Sequence, residues 1–204
     1  MNGRYAVIGW GPLIWDLEIL TPHVELPWQM QAGPALPMEF SRISAKRKQA
    51  LAVCLDIECG VPCATHAVPS RRNEIERVIE DLAARERAPA GRIGAVCLRT
   101  GQGQGRAEFG KIVADWCRER GWQGAVWTDL TSNFGEFEDR RFSVPHGADY
   151  LRRLQGESLD EAVRYITHAP VTTDTPLRRA LDGDPWWQRQ KERLGLVANP
   201  GAIR

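Results

Sequence analysis

The chain has 204 residues, 43% of them hydrophobic and 26% charged, a composition typical of a globular protein with a packed core and not of a disordered chain. A formal net charge of +1 gives no electrostatic drive toward nucleic acid or an anionic membrane, so neither is expected as a partner. We expect a cytoplasmic protein, because a signal-peptide core, a membrane-spanning stretch and a disulfide spacing among the five cysteines are all missing.

The first part of the chain predicts strands. Residues 5–9 form an apolar run that ends at glycines, and prolines within residues 16–35 favour a long loop. Alternation of apolar and polar residues predicts a half-buried strand at 38–44, and further β-like runs follow at 50–57 and 63–68. The connections between these runs are short, which favours antiparallel meanders.

Helical periodicity begins after these runs. Apolar residues recur at a spacing of three and four within residues 71–87, which predicts an amphipathic helix. A strand is predicted at 92–98, and a second amphipathic helix follows the glycine-rich loop at 100–106. A last short strand is predicted at 124–128.

Beyond about residue 146 the pattern changes to short helical segments. Ser158 and Glu161 have the spacing of a capping box, which predicts a helix that begins there. We therefore predict an α+β protein with a β-rich domain at residues 1–146 and a helical C-terminal extension at 147–204 that packs on it. The oligomeric state is left open, with a homodimer as one arrangement.

Three possible metal ligands lie close together in sequence, namely Cys59, Cys63 and His66. A tetrahedral zinc site needs four ligands, usually with a Cys-x-x-Cys pair, so a turn and a strand with buried cysteines is the preferred interpretation. Cys63 and His66 would point to opposite faces of one strand, which argues against a nucleophile and its base. We expect neither a metal nor another cofactor.

Glu86 departs from the pattern of its helix. It lies four residues after Leu82 and seven after Ile79, so it continues the apolar stripe instead of the charged face. A partly buried carboxylate at that position suits a general base that works near neutral pH. The periodicity leaves open the alternative that the last turn frays, or that Glu86 pairs with a nearby arginine.

The first predicted strand runs into the turn Ile8-Gly9-Trp10-Gly11-Pro12-Leu13-Ile14-Trp15. This turn resembles the glycine-rich signature of the γ-glutamylcyclotransferase-like superfamily, which reads Gly-Tyr-Gly-Ser-Leu-Ile-Trp in the ChaC-like branch. The run Leu82-Ala83-Ala84-Arg85-Glu86 is similar to the context of the family's catalytic glutamate, which follows a helix. The resemblance covers roughly residues 5–100. Trp10 and Pro12 replace the usual tyrosine and serine, so the chain resembles a divergent branch.

The resemblance implies a small mixed or antiparallel β-barrel with flanking helices, and a cofactor-independent cyclotransferase. In that reaction the α-amine of a γ-glutamyl amide attacks the γ-carbonyl, and 5-oxoproline and an amine are released. Glu86 is then expected to be the general acid and base, and backbone N–H groups of the turn are expected to bind the substrate, although Pro12 has none. The expected substrate-binding residues are Gly9, Trp10, Gly11, Pro12 and Leu13 from the turn. Arg42 is added as a substrate-binding residue from its face of the strand at 38–44, and a structural role is the alternative for it.

Two other functions stay open at this point. The first is a non-catalytic small-molecule-binding or protein-interaction module on the same fold, since a fold does not determine a function. The second is a different hydrolase or acyl transferase on the same scaffold.

Overall fold

Helices and strands are both present in the computed structural model, which describes residues 4–196. This confirms the predicted α+β class. The strands are β1 (Tyr5–Gly9), β2 (Leu36–Ser44), β3 (Ala50–Leu55), β4 (Val61–Cys63), β5 (His66–Pro69), β6 (Ile93–Cys97), β7 (Gly103–Gln104) and β8 (Gly124–Thr128). The helices are α1 (Ile75–Glu86), α2 (Ala107–Arg120), α3 (Phe134–Glu138), α4 (Val144–Arg153), α5 (Gly156–His168), α6 (Pro176–Asp182) and α7 (Pro185–Arg193). Within residues 4–196 no helix is long and apolar enough to span a bilayer.

The chain divides into two compact units. The first contains the chain up to Leu36 and the segment Pro62–Leu130, and the second contains Pro37–Val61 and the chain from Thr131 onward. Each unit is therefore assembled from two separate stretches of sequence. Neither unit ends at residue 146, and the division into domains at that residue stays a prediction.

The first unit is built on a five-stranded sheet of order β5-β1-β8-β6-β7. β1 lies between β5, to which it is antiparallel, and β8, to which it is parallel. The prediction of antiparallel meanders is confirmed for the hairpin of β2 and β3. The single strand predicted at residues 63–68 is wrong, since this stretch contains the end of β4 and most of β5, which belong to different sheets.

Helices cover both faces of this sheet. Tyr5, Val7 and Val126 share one face by strand alternation and pack with α1 in one apolar cluster. α2 lies against β6 and β8 as well, but its buried Phe109 and Val113 are not part of that cluster. The two helices therefore lie on opposite faces, and the core of the unit has two layers.

The second unit combines a three-stranded sheet of order β3-β2-β4 with the C-terminal helices. Its core cluster joins Phe40 and Leu51 to residues of α4, α5 and α7. Glu39 is fully buried and accepts hydrogen bonds from the backbone N–H groups of Phe40 and Leu177, at 2.7 and 3.0 Å. Burial raises the pKa of this carboxyl group. Glu39 thus anchors the start of α6 to β2.

The predicted capping box at Ser158 is wrong. α5 begins at Gly156 with Gln155 as its N-cap, so Ser158 lies inside the first turn. Glu161 is engaged elsewhere, because Nη1 of Arg47 donates to its Oε1 at 2.9 Å. The carboxylate that a capping box needs is therefore used to tie α5 to the loop that follows β2.

Candidate active site

β1 ends in a turn whose backbone requires glycine at one position. Gly11 has a φ of +55°, in the left-handed region that side chains disfavour, and opens a short 3₁₀ helix, Gly11–Ile14. Pro12 lies in the first turn of this helix, where an N–H would have no intrahelical partner. Proline therefore fits the local fold, although it removes one possible donor to a ligand.

Gly9, the last residue of β1, is required for packing. A Cβ there would lie 2.5 Å from Cη2 and 2.9 Å from Cζ3 of Trp28, and 3.1 Å from Cδ2 of Leu13. The side chains of Trp28 and Leu13 belong to the apolar cluster beneath α1. The Leu13 side chain has no polar atom, so Leu13 can offer only its backbone groups as hydrogen-bond donors, whereas Trp10 is partly exposed.

The strand directions bring Glu86 to the edge of the sheet where β1 ends. β5 ends with Pro69 opposite Ala6, near the start of β1, and α1 follows from that edge. β6 begins with Ile93 opposite Thr128, the last residue of β8, and β8 is parallel to β1. Since α1 connects β5 to β6, it crosses the sheet and finishes at the edge of the turn. Glu86 is the last residue of α1.

Glu86 is partly buried and paired. Its side chain is 19% exposed, and Nη1 of Arg85 donates to its Oε1 at 3.1 Å. The same guanidinium donates from Nη2 and Nε to the carbonyl of Asp16, at 2.5 and 3.2 Å. Arg85 thus links Glu86 to the end of the segment that contains the glycine-rich turn. Partial burial and pairing with an arginine were alternatives for Glu86 in the sequence analysis, and the structure has both.

Two residues with buried polar groups lie beside the same turn, and the sequence did not place either of them there, although His66 was considered as a metal ligand and as a base. His66 pairs with Gly9 across β1 and β5 and is 1% exposed, and its Nδ1 accepts the Gln31 N–H at 2.8 Å. Burial lowers the pKa of His66. Nε2 of His66 and Nε1 of Trp28 are buried without a partner in the part of the chain that is described. His66 could be recognised in the sequence as a titratable residue in a strand that is otherwise apolar. Trp28 has no comparable sequence signal.

Arg42 belongs to the other unit. Its Nη1 donates to the carbonyl of Thr131 at 2.7 Å, within that unit. Its role in substrate binding stays a prediction.

The cysteines do not form a metal site among residues 4–196. No group of three or more His, Cys, Asp or Glu side chains suited to a metal is present there. Cys59 Sγ donates to the carbonyl of Phe142 at 3.7 Å, and burial raises the pKa of this thiol. Cys63 ends β4 whereas His66 begins β5, so the two do not share a strand as the sequence predicted.

The first unit also has a groove whose lining does not include Glu86, the glycine-rich turn, His66 or Trp28. It lies between β6, β7 and the start of α2, and its lining contains glycines of the 101–105 loop, Arg106 and Arg118. The guanidinium of Arg106 is held by Asp129, with Nη2 2.8 Å and Nε 2.9 Å from Oδ1. Glycines and alanines make up half of the lining residues of this groove.

Comparison with known proteins identifies no relative: no family model matches the chain, and neither curated proteins nor solved structures give a significant match.

Proposed function

We propose that the protein is a divergent γ-glutamylcyclotransferase-like enzyme that acts on a γ-glutamyl amide or a related small molecule. One observation carries the proposal: Glu86 ends α1 at the edge of the sheet where the glycine-rich turn leaves β1. The sequence resemblance rests on these same two features, which are separated by some seventy residues of chain. The small β-barrel that the resemblance implies and a cytoplasmic location belong to the same proposal.

The reaction is an intramolecular acyl transfer. The α-amine of the substrate forms a C–N bond to its own γ-carbonyl carbon, the γ-amide C–N bond breaks, and 5-oxoproline and a free amine result. Glu86 accepts a proton from the attacking amine and returns it to the leaving amine. Backbone N–H groups of Gly11 and Leu13 are the donors for the oxyanion, and Pro12 contributes none. No cofactor takes part, since the site has only to fold the substrate onto itself.

Arg85 acts as a positioning residue in this scheme. It touches the Glu86 carboxylate and the Asp16 carbonyl together, so it restricts the rotation of the Glu86 side chain. The orientation of a general base decides whether it reaches the proton it must accept.

The same ion pair is the observation that favours the second candidate, a non-catalytic binding module. A carboxylate already engaged by an arginine can serve as a fixed structural group. The two candidates differ in turnover and not in binding, so an assay of products separates them.

The test is incubation of the protein with a panel of γ-glutamyl amines and γ-glutamyl peptides, followed by quantification of 5-oxoproline and the released amine by mass spectrometry. We expect the two products in equal amounts. Glu86→Gln should lower kcat/KM by about 10²- to 10⁴-fold, the usual contribution of a general acid–base group. The matched control is Glu76→Gln, which removes an exposed carboxylate from the same helix and should keep full activity.

Three outcomes would contradict the proposal. Glutamate in place of 5-oxoproline would identify a hydrolase on the same scaffold. Full activity in Glu86→Gln would exclude the assigned base. Binding of γ-glutamyl compounds without any product would identify the binding module.

A further inference from the structure

Nε1 of Trp28 and Nε2 of His66 are both hydrogen-bond donors. An indole nitrogen can only donate. His66 is neutral near pH 7, because burial lowers its pKa. Its Nδ1 accepts the backbone N–H of Gln31 at 2.8 Å, so the one ring proton of the neutral imidazole must be on Nε2. Neither donor has an acceptor in the described part of the chain.

The two donors belong to one place in the fold. His66 is the cross-strand partner of Gly9, and the Trp28 ring occupies the space above Gly9 where a Cβ would stand. Gln29 pairs with Ala67. Trp28 precedes Gln29 and His66 precedes Ala67 in the chain, so by strand alternation both side chains point to the face opposite to that of the pair. This is the face that α1 covers. Both residues therefore lie beside the turn that contains the candidate site.

Their chemistry restricts what they can bind. Two neutral N–H groups repel an ammonium group or a metal ion and require an acceptor. Buried donors are almost always paired in folded proteins, and hydrogen bonds to an ionised acceptor are the strongest available. A phenylalanine at either position would satisfy a purely apolar core without leaving a donor to be paired.

We propose that Nε2 of His66 and Nε1 of Trp28 form a subsite that binds a carboxylate oxygen of a small-molecule ligand at the Gly9 turn. The choice of ligand rests on the proposed function, since γ-glutamyl substrates and the product 5-oxoproline each carry an α-carboxylate. The subsite would hold that carboxylate while Glu86 and the turn act on the reacting groups.

The experiment is a ¹H–¹⁵N NMR titration of the full chain at about pH 7.5, where an unperturbed or acid-shifted imidazole is neutral. The probe is 5-oxoproline, and the control compound is 2-pyrrolidinone, which keeps the lactam ring but lacks the carboxylate. The resonances of interest are the Trp28 indole N–H and the His66 Nε2–H. The internal control is Trp127, whose indole N–H is also buried without a partner in the described residues but whose side chain points to the other face of the sheet.

We expect both resonances to move saturably with 5-oxoproline, with no change at Trp127 and no response to 2-pyrrolidinone. Trp28→Phe and His66→Phe should each weaken binding of 5-oxoproline by about 10- to 100-fold, as expected for loss of one hydrogen bond to a charged group. If one variant does not fold, the titration of the unmodified chain still tests whether the subsite binds a carboxylate.

The proposal is overturned if the Trp28 and His66 resonances do not shift, or if the Trp127 resonance shifts equally. It is also overturned if both donors show the same exchange cross-peaks with a buried water throughout the titration. Formation of 5-oxoproline from γ-glutamyl amides without a response at Trp28 would overturn the subsite alone. A response without turnover on any γ-glutamyl amide would keep the subsite and overturn the proposed reaction.

Discussion

Replacement of Gly9 by alanine tests the packing at the end of β1. The new Cβ would stand 2.5 and 2.9 Å from two carbons of the Trp28 ring, whereas carbon atoms pack favourably at about 3.5–4.0 Å. Trp28 is only 8% exposed, so its ring cannot move aside without displacing the cluster beneath α1. Overpacking of this kind costs about 1–3 kcal/mol. For a chain of this size, each 1 kcal/mol lowers Tm by about 2–4 °C.

Urea denaturation of a double-mutant cycle identifies the cause. In a Trp28→Leu background the obstructing ring is absent, so Gly9→Ala should cost less than about 0.5 kcal/mol there. The matched control is Gly91→Ala, where a Cβ meets no heavy atom of residues 4–196 within 4 Å and φ is not positive. That control should stay within about 0.5 kcal/mol of the unmodified protein. A neutral Gly9→Ala, or equal costs in the two backgrounds, would refute the steric argument.

Two further predictions concern the same unit. Because the pKa of His66 lies below its ordinary value of 6.5, the folded state binds fewer protons than the unfolded chain, and the free energy of unfolding should fall as pH drops below 6.5. In urea titrations across that range His66→Gln should flatten this dependence, and an unchanged slope would exclude His66 as its source. Gly110→Ala should raise the free energy of unfolding by about 1 kcal/mol, because alanine favours the interior of α2 and its Cβ meets no atom of the described part of the chain within 4 Å. Thermal unfolding followed by circular dichroism checks this, and a lower Tm would show that Gly110 has a packing role.

Local patterns in the sequence were sufficient for the elements that form the site. Residues 5–9 form β1 as predicted, and α1 lies within the predicted range of 71–87. The position of Glu86 on the apolar stripe correctly indicated a partly buried carboxylate. These features depend on the period of a single helix or strand, which short stretches of sequence determine.

Pairing between distant segments could not be predicted in the same way. Tyr5 pairs with Gly124 in the parallel ladder of β1 and β8, and no short-range pattern specifies that partner. The positions of Trp28 and His66 beside the turn were not predicted for the same reason. Trp28 comes from a stretch predicted as loop, and it reaches Gly9 only because Gln29 pairs with Ala67. Such sites arise from tertiary pairing, and a single sequence without its fold does not display them.

Gly9 and Gly11, the two glycines of the turn on which the resemblance depends, have different roles in the structure. Gly11 is required by its backbone, since its φ is +55°, whereas the space above Gly9 is already filled by Trp28. A glycine-rich turn is thus explained in part by ordinary packing, and it does not by itself indicate a ligand. The functional argument gains its weight from groups that packing does not explain. Nε1 of Trp28 and Nε2 of His66 are donors buried without an acceptor among residues 4–196, and Glu86 ends its helix at the same edge of the sheet. Buried donors need a partner, and a ligand with a carboxylate at this turn would supply it.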